Sequence, residues 1–364
     1  MPIGNHFHQL KVSDLRQDTN HAVVLHFEVP EDLAETFAFR QGQYLTLRAD
    51  IDGETVQRSY SICSGLDDGE LRVGIKHVEN GVFSSWANQQ LNAGDALEVM
   101  TPRGNFFTEL DPGKARNYLC ISSGSGITPV LSIVKTLLAR EPQSKVTLLY
   151  GNQRTATMMF RNELAFLKNR YLQRFHWINI FSREPQEAEI LSGHIDNRKG
   201  GELNRCLIRI RDFNEFFLCG PEGMISEVSR GLRSEGIKEQ YIHFELFASS
   251  AENARKAVER HHARAQKHKG QISQVTVISS GREYNFELNA DGENLLDAGL
   301  NNGIDLPFSC KGGVCATCKA VLKEGKVEMD LNQALRPEEL EQGYILTCQS
   351  HPISDQVIVD YDQL

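Results

Sequence analysis

Cys310-Lys-Gly-Gly-Val-Cys315-Ala-Thr-Cys318 sets three cysteines at the spacing C-x4-C-x2-C, and a fourth, Cys348, follows 30 residues later. This spacing suits a plant-type [2Fe–2S] cluster, in which four soft thiolates hold two irons and three of them converge from one tight loop. Gly312 and Gly313 favour such a loop, because glycine takes positive φ freely and lets backbone N–H groups turn toward sulfur. Two other readings of the same cysteines stay open. A four-thiolate zinc site usually pairs one C-x2-C with a second, and only one is present. A thioredoxin-like Cys315/Cys318 pair would leave Cys310 and Cys348 idle and lacks its βαβ setting. The cluster reading places a one-electron carrier in the C-terminal part of the chain. Something upstream must load it.

The chain has 364 residues, enough for two or three domains that each bury a core. No apolar run approaches a membrane span, so no membrane partner is expected. The start, Met1-Pro-Ile-Gly-Asn-His6, lacks the charged region and apolar core of a signal peptide. Eight cysteines, four of them committed to a cluster, argue against a disulfide scaffold. A cytoplasmic location is expected.

Charge is unevenly spread. Residues 271–364 hold 15 Asp/Glu and 6 Lys/Arg, a net of −9, and the rest of the chain sums to zero. Residues 251–270 are basic, with six Lys/Arg, two Glu and three His. An acidic carrier behind a basic tether suits docking to positively charged surfaces, although solvated faces give the same composition. The basic stretch has no aromatics or recognition motif, so no nucleic-acid partner is expected.

The expected architecture is multidomain. Residues 1–112 carry short strands (Val23–Val29, Tyr44–Arg48, Arg58–Ile62, Leu71–Val78, Ala96–Met100) and one helix near 83–89, which suggests an antiparallel β-barrel. Residues 113–247 alternate strands (Tyr118–Ser122, Val146–Tyr150, Phe175–Phe181, Glu215–Cys219, Tyr241–Phe244) with helices (Val130–Arg140, Arg161–Asn169, Gly223–Ser234). That pattern means an α/β domain with a parallel sheet, whose ligand sits at the carboxyl ends of the strands. Residues 248–270 read as a charged linker, partly helical, without apolar periodicity. Residues 271–364 begin again with strands and a short helix at Asn294–Asn301, an α+β domain around the cysteines.

The barrel segment contains Arg58-Ser59-Tyr60-Ser61. A flavin needs a cation for phosphate, an aromatic against its ring or ribityl chain, and a polar group facing N5; strand alternation can present these in a line. Lys76 follows, then Gly81-Val82-Phe83-Ser84 opening a helix, where backbone N–H groups favour pyrophosphate. Pro102-Arg-Gly-Asn-Phe106 closes the set. In this order the motifs resemble the ferredoxin–NADP reductase superfamily, whose barrel binds FAD or FMN. The resemblance implies that Arg58 meets the pyrophosphate, Tyr60 the flavin and Ser61 its N5 edge, with Ser59 beside them. It also implies that Lys76 and Gly81, Val82, Phe83 and Ser84 hold the phosphates. FAD is the favoured flavin.

After Tyr118–Ser122 comes Gly124-Ser-Gly126-Ile-Thr128-Pro129 and an apolar helix, the strand–glycine–helix setting that phosphate binding requires. Pro129 suits the first turn of that helix. Cys219-Gly220-Pro221 ends another strand at the same rim. The superfamily resemblance implies that this turn places the nicotinamide beside the flavin, with Cys219 shaping the site and not acting as a nucleophile; a merely buried thiol is the alternative. Cys63, Cys120 and Cys206 lack such a setting and read as passive thiols. Glu245-Leu-Phe247 ends the reductase part, and the resemblance makes Phe247 the aromatic stacked over the flavin, with Glu245 at the cofactor. Ser182-Arg183 resembles the pair that clasps the 2′-phosphate of NADPH, and Arg154 assists; NADPH is preferred, with NADH possible. Ser61, Cys219 and Phe247 are the expected catalytic positions.

Hydride donors give two electrons and iron–sulfur clusters take one, so the expected path runs NADPH to FAD to [2Fe–2S] to an external acceptor. Arg58–Cys63, Ser123–Pro129, Tyr150–Asn152, Met158–Arg161, Cys219–Pro221 and Leu306–Lys319 are similar to the family of ring-1,2-phenylacetyl-CoA epoxidase reductase subunits, with a C-terminal plant-type ferredoxin domain of β-grasp type. This implies, as partners, the di-iron oxygenase subunits of the phenylacetyl-CoA epoxidase complex, in phenylacetate catabolism. The chain has no repeated Glu-x-x-His motif, so oxygen activation belongs to a partner. The reductase of a Rieske-type oxygenase or hybrid-cluster protein is the alternative, and a redox-sensing or interaction module the non-enzyme one.

Overall fold

In a computed structural model the described residues are 6–247 and 251–363; the reading of the first five residues and the opening of the linker, 248–250, lie outside them. The chain divides into two compact units, one made largely of residues 9–246 and one largely of the chain from Phe247 onward.

The first unit begins with β1 (Phe7–Thr19), β2 (Ala22–Glu28), β3 (Tyr44–Ile51), β4 (Glu54–Ser61), β5 (Leu71–Lys76), helix α1 (Val82–Gln89) and β6 (Ala96–Met100). The strands form one sheet in the order β4-β3-β6-β1-β2-β5. A bridge between Ile62, just past β4, and Val73 in β5 joins its two edges, giving the expected antiparallel barrel. Alternate residues point inward, among them Leu10, Val12, Val23, Leu25, Leu45, Leu47, Val73 and Val99. The sequence reading missed β1, because only Leu10 and Val12 are buried along its 13 residues.

The same unit continues with β7 (Asn117–Ser123), α2 (Ile127–Arg140), β8 (Lys145–Asn152), α3 (Arg161–Arg170), β9 (Phe175–Phe181), α4 (Asn197–Cys206), β10 (Glu215–Cys219), α5 (Glu222–Ser234) and β11 (Ile242–Glu245). These five strands form a parallel sheet ordered β11-β10-β7-β8-β9. The order reverses between β7 and β10, so a ligand crevice is expected at their carboxyl ends. α2 is apolar on nearly every side, and its Ile127, Val130, Ile133, Val134 and Leu137 share one core with Ala22, Val24, Cys63 and Phe106 of the barrel. The loop after β4 is also fastened to α2. Leu66 N–H donates to Thr136 Oγ1 at 3.2 Å, Lys135 pairs with Asp68 and Glu163, and Arg140 grips Asp67.

The second unit contains α6 (Ala251–Lys267), β12 (Ile272–Ser279), β13 (Arg282–Asn289), α7 (Leu295–Asn301), β14 (Lys319–Glu324), β15 (Val327–Met329), α8 (Pro337–Glu341), β16 (Tyr344–Leu346), β17 (Ser350–Pro352) and β18 (Gln356–Asp360). Its main sheet runs β13-β12-β18-β14-β16, with β12 and β18 parallel at the centre, the β-grasp arrangement. Leu295, Leu296 and Ala298 of α7 join the core with Val275, Val277, Val357 and Val359. The segment read as a charged, partly helical linker is a 17-residue helix within its described part. It shows no apolar periodicity because a charge, Arg264, is its most deeply buried described side chain. Among the described residues no helix is long and apolar enough to cross a membrane.

Candidate cofactor sites

Ser61 ends β4, Cys219 ends β10 and Glu245 ends β11. Sheet pairing sets Glu245 opposite Cys219, and the Ser61 hydroxyl donates to Glu245 Oε2 at 3.0 Å. Burial pushes the Glu245 carboxyl up to about 8, against the lowering pull of the Ser61 hydrogen bond. It is therefore mostly protonated at neutral pH. Burial, reinforced by the Glu245 charge, pushes the Cys219 thiol well up, so the sulfur stays a neutral thiol. Such a polar, proton-bearing, non-nucleophilic corner fits the edge of a flavin. Glu245 had only its place at the end of a strand to mark it in the sequence, and its link to Ser61 spans 184 residues.

The other barrel positions divide by the direction they face. Tyr60 is half-buried, with its ring 5.6 Å from that of Phe83. Phe83 is 1% exposed and belongs to the barrel core, so it offers a ligand only its backbone. The Ser84 hydroxyl is occupied too: it accepts from Val78 N–H at 3.1 Å and donates to Gly81 O at 3.2 Å. The turn from Gly81 to Ser84 thus presents backbone at the start of α1, with Val82 exposed. Arg58 is exposed and donates to Gln57 O at 2.6 Å; Ser59 is half-buried.

The glycine loop after β7 lies at the sheet's reversal point. Gly124 has φ +57°, and the Tyr150 hydroxyl donates to its carbonyl at 3.1 Å. Thr128 Oγ1 donates to Ser125 O at 3.0 Å, and Pro129 is buried in the first turn of α2. A Cβ on Gly126 would lie 2.2 Å from the carbonyl oxygen of Cys219; one on Gly220 would lie 2.7 Å from Met224 Cε and 3.2 Å from Ser123 N. The two loops therefore touch backbone to backbone, and Pro221 then opens α5. Lys76, expected with the Gly81–Ser84 turn, has its ammonium beside Gly124, 3.6 Å from where a Cβ there would stand. Burial lowers its pKa, and it makes no ion pair among the described residues. A half-buried ammonium beside a glycine loop fits a phosphate. Farther along the rim, Ser182 N–H donates to Asn152 O and Arg183 N–H to Gln153 O, at 2.9 and 3.0 Å. These bonds bring Ser182 and Arg183 next to the Arg154 loop, with both guanidinium-bearing residues exposed. Phe247 is 41% exposed. Of the three passive thiols, Cys63 and Cys120 are buried and Cys206 is exposed.

In the second unit the four cysteines converge. Cys310 hydrogen-bonds with Cys315 and Cys318 with Cys348. Positive φ falls at Lys311 (+48°), Gly313 (+72°) and Ala316 (+54°), so of the two glycines expected to take it only Gly313 does. Gly312 contributes its N–H, which donates to Cys310 Sγ at 3.3 Å. The hydrogen bond from Cys315, with help from the N–H groups of Val314, Gly312 and Cys315, holds the Cys310 thiol down at about 6. A ready thiolate with three more sulfurs around it fits iron. The thioredoxin-like reading fails here, because Cys315 pairs with Cys310 and Cys318 with Cys348, not with each other.

Three family models match the chain in order: an oxidoreductase FAD-binding domain over residues 9–108, an oxidoreductase NAD-binding domain over 120–230 and a 2Fe-2S iron–sulfur cluster binding domain over 277–352. FAD, a nicotinamide nucleotide and a [2Fe–2S] cluster are thus the cofactors of this chain. A 1,2-phenylacetyl-CoA epoxidase subunit from Escherichia coli (strain K12) is 43% identical over 356 residues, 98% of each chain. The ferredoxin reductase component of 3-ketosteroid-9-alpha-monooxygenase from Mycolicibacterium smegmatis is 32% identical, covering 100% of this chain and 99% of that one. Among solved structures, phthalate dioxygenase reductase superposes with a TM-score of 0.59 at 22% identity, covering 97% of this chain and 98% of that chain, and supports the three-part fold. Flavin, nucleotide and cluster sites in this order, together with similarity along the full length, place the chain in the family of FAD- and NAD-binding, [2Fe–2S]-containing oxidoreductases to which that phenylacetyl-CoA epoxidase component belongs.

Proposed function

We propose that this NAD(P)H-dependent oxidoreductase delivers its electrons to a di-iron oxygenase that epoxidises phenylacetyl-CoA, as the electron-transfer component of that complex. The observation that carries this reading is the 43% identity to the epoxidase component across 98% of both chains. The absence of any repeated Glu-x-x-His motif supports it, since oxygen must then be activated on a partner. NADPH is the preferred donor, held by Arg183, Ser182 and Arg154, and the setting is the cytoplasm. The barrel comprises residues 1–112 and the nucleotide domain 113–247.

When bound, the flavin converts a two-electron donor into single-electron steps and the cluster stores one electron. The protein supplies orientation. Gly126 and Gly220 let the two rim loops pack backbone to backbone, and Lys76 beside Gly124 offsets the phosphate charge of the nucleotide. Cys219 fixes the rim beside Ser61. Ser61 and Glu245 hold a proton at the edge where hydride arrives, and no nucleophile competes for it. Phe247 covers the ring, and Arg58, Ser59, Tyr60 and the start of α1 hold the rest of the flavin.

A second acceptor, the oxygenase of a Rieske-type or hybrid-cluster system, is favoured by the 32% identity to a reductase of a different monooxygenase. The test mixes this protein with a competent phenylacetyl-CoA oxygenase, NADPH, O2 and phenylacetyl-CoA. Oxygenated CoA product in proportion to NADPH consumed supports the epoxidase partner. NADPH oxidation yielding only peroxide, with the oxygenase active on its own reductase, removes that partner and leaves the relay.

A further inference from the structure

α6 is fastened within the second unit by buried charge. Arg264 is 2% exposed, and its guanidinium pairs with the Asp330 carboxylate, donates from Nε to Ala290 O at 3.3 Å and from Nη2 to His261 Nδ1 at 2.6 Å. One turn earlier, Arg260 Nη1 donates to Asp330 O at 3.1 Å. The other Asp330 oxygen lies 3.1 Å from His351 Nε2 and 3.6 Å from His261 Nδ1. His261, Asp330 and His351 offer ligand atoms within 4.8 Å of one another, as at a metal site. Arg264 already supplies the positive charge there, and a second cation beside a buried guanidinium would be repelled. The cluster of side chains is an anchor.

From Asp330 a short run of contacts leads to the cysteines. Its N–H donates to the carbonyl of Gln349, the neighbour of Cys348, at 2.9 Å. The Gln349 amide donates to Cys348 O and, across the loop, to Lys311 O beside Cys310, both at 2.9 Å. The carbonyl of Leu331, next to Asp330, fills the space a Cβ on Gly313 would need, at 2.9 Å. Gln333 N–H donates to Gly313 O at 3.1 Å. The first and last cysteines of the set are therefore braced by the segment that Arg264 holds.

We propose that Arg264 and Gln349 are positioning residues for the [2Fe–2S] cluster, which makes the helix before the cluster domain a structural support of the metal centre. This rests on Cys310, Cys315, Cys318 and Cys348 being its ligands. Removing the guanidinium leaves the buried Asp330 carboxylate with only His351 and His261 beside it, so the carboxylate turns outward or the group takes up a proton, and either change pulls on the Gln349 turn.

The test uses the full-length protein with flavin and cluster bound. Loss of the cluster's visible absorption is followed in the presence of bathophenanthroline, a ferrous-iron chelator. Arg264→Gln is expected to speed the loss about 10-fold, as changes to groups that brace metal ligands do, with flavin absorbance retained. Arg264→Lys should fall between the two. Lys267→Ala on the same helix, which breaks an exposed pair with Glu328 of β15, should match the wild type. Gln349→Leu should shift the electron paramagnetic resonance g values of the reduced cluster, which general loosening of the fold would not do. Wild-type loss rates in Arg264→Gln, or equal acceleration in Lys267→Ala, overturn the proposal. Should Arg264→Gln fail to fold, wild-type rates in Arg264→Lys overturn it instead. A wild-type cluster spectrum in Cys348→Ser would refute the ligand set itself.

Discussion

The nucleotide rim of the first unit and the cysteine loop of the second hold redox groups with opposite materials. The rim is built from backbone: Gly126 against the Cys219 carbonyl, Gly220 against Ser123, Gly124 in a left-handed turn. The cysteine loop is built from side chains, four sulfurs in a domain of net charge −9. A backbone site tolerates many neighbouring substitutions but no added Cβ at the point of contact. A side-chain site tolerates almost nothing at the ligands themselves, and depends on what braces them.

Cys315→Ser gives the largest expected effect and tests whether the halves operate separately. Delivery to a one-electron acceptor such as cytochrome c should fall to background, while NADPH still bleaches the flavin at the wild-type rate. Loss of bleaching would show that the two sites are not independent. Gly126→Ala attacks the other side of the comparison. The new methyl would have to displace the Cys219 carbonyl, and misplacing the nicotinamide by about 1 Å should slow flavin reduction about 100-fold. The cluster spectrum should not change, and Gly223→Ala, whose Cβ would meet nothing within 4 Å, serves as control. A normal rate in Gly126→Ala would break the backbone-built account of the rim.

The smallest effect concerns Glu245. Its carboxyl rises from an ordinary 4.5 to about 8 in the folded protein, so the native state binds its proton more tightly than the unfolded chain does. The stability this gives is complete below about pH 4.5 and is lost as pH rises through about 8. Wild-type Tm should therefore decline over that range more steeply than the Tm of Glu245→Gln. Parallel declines would mean that the carboxyl titrates normally.

What was legible in the sequence follows the same division. Cysteine spacing is written into the chain, because three of the four sulfurs come from one nine-residue stretch. Strand–glycine–helix junctions are legible for a similar reason, and β9 and β10 begin and end where alternation placed them. The Ser61–Glu245 bond was not legible, since it depends on β11 lying beside β10 at the edge of the sheet. Lys76 was read with the Gly81–Ser84 turn that follows it, and its place beside Gly124, 48 positions away, could come only from the fold. α4 was hidden by Gly200 and Gly201, and α6 by an anchor made of charge, which no apolar pattern reveals.

The shared core beneath α2 bears on how such proteins can be recombined. Ala22, Val24, Cys63 and Phe106 come from the barrel and pack in one cluster with the helix that carries the nucleotide loop. A chain cut between residues 112 and 113 would leave a raw apolar face on both pieces, and neither would be a usable part. The barrel and the nucleotide domain are two motifs but one transferable block. A graft onto another electron carrier would have to move them together.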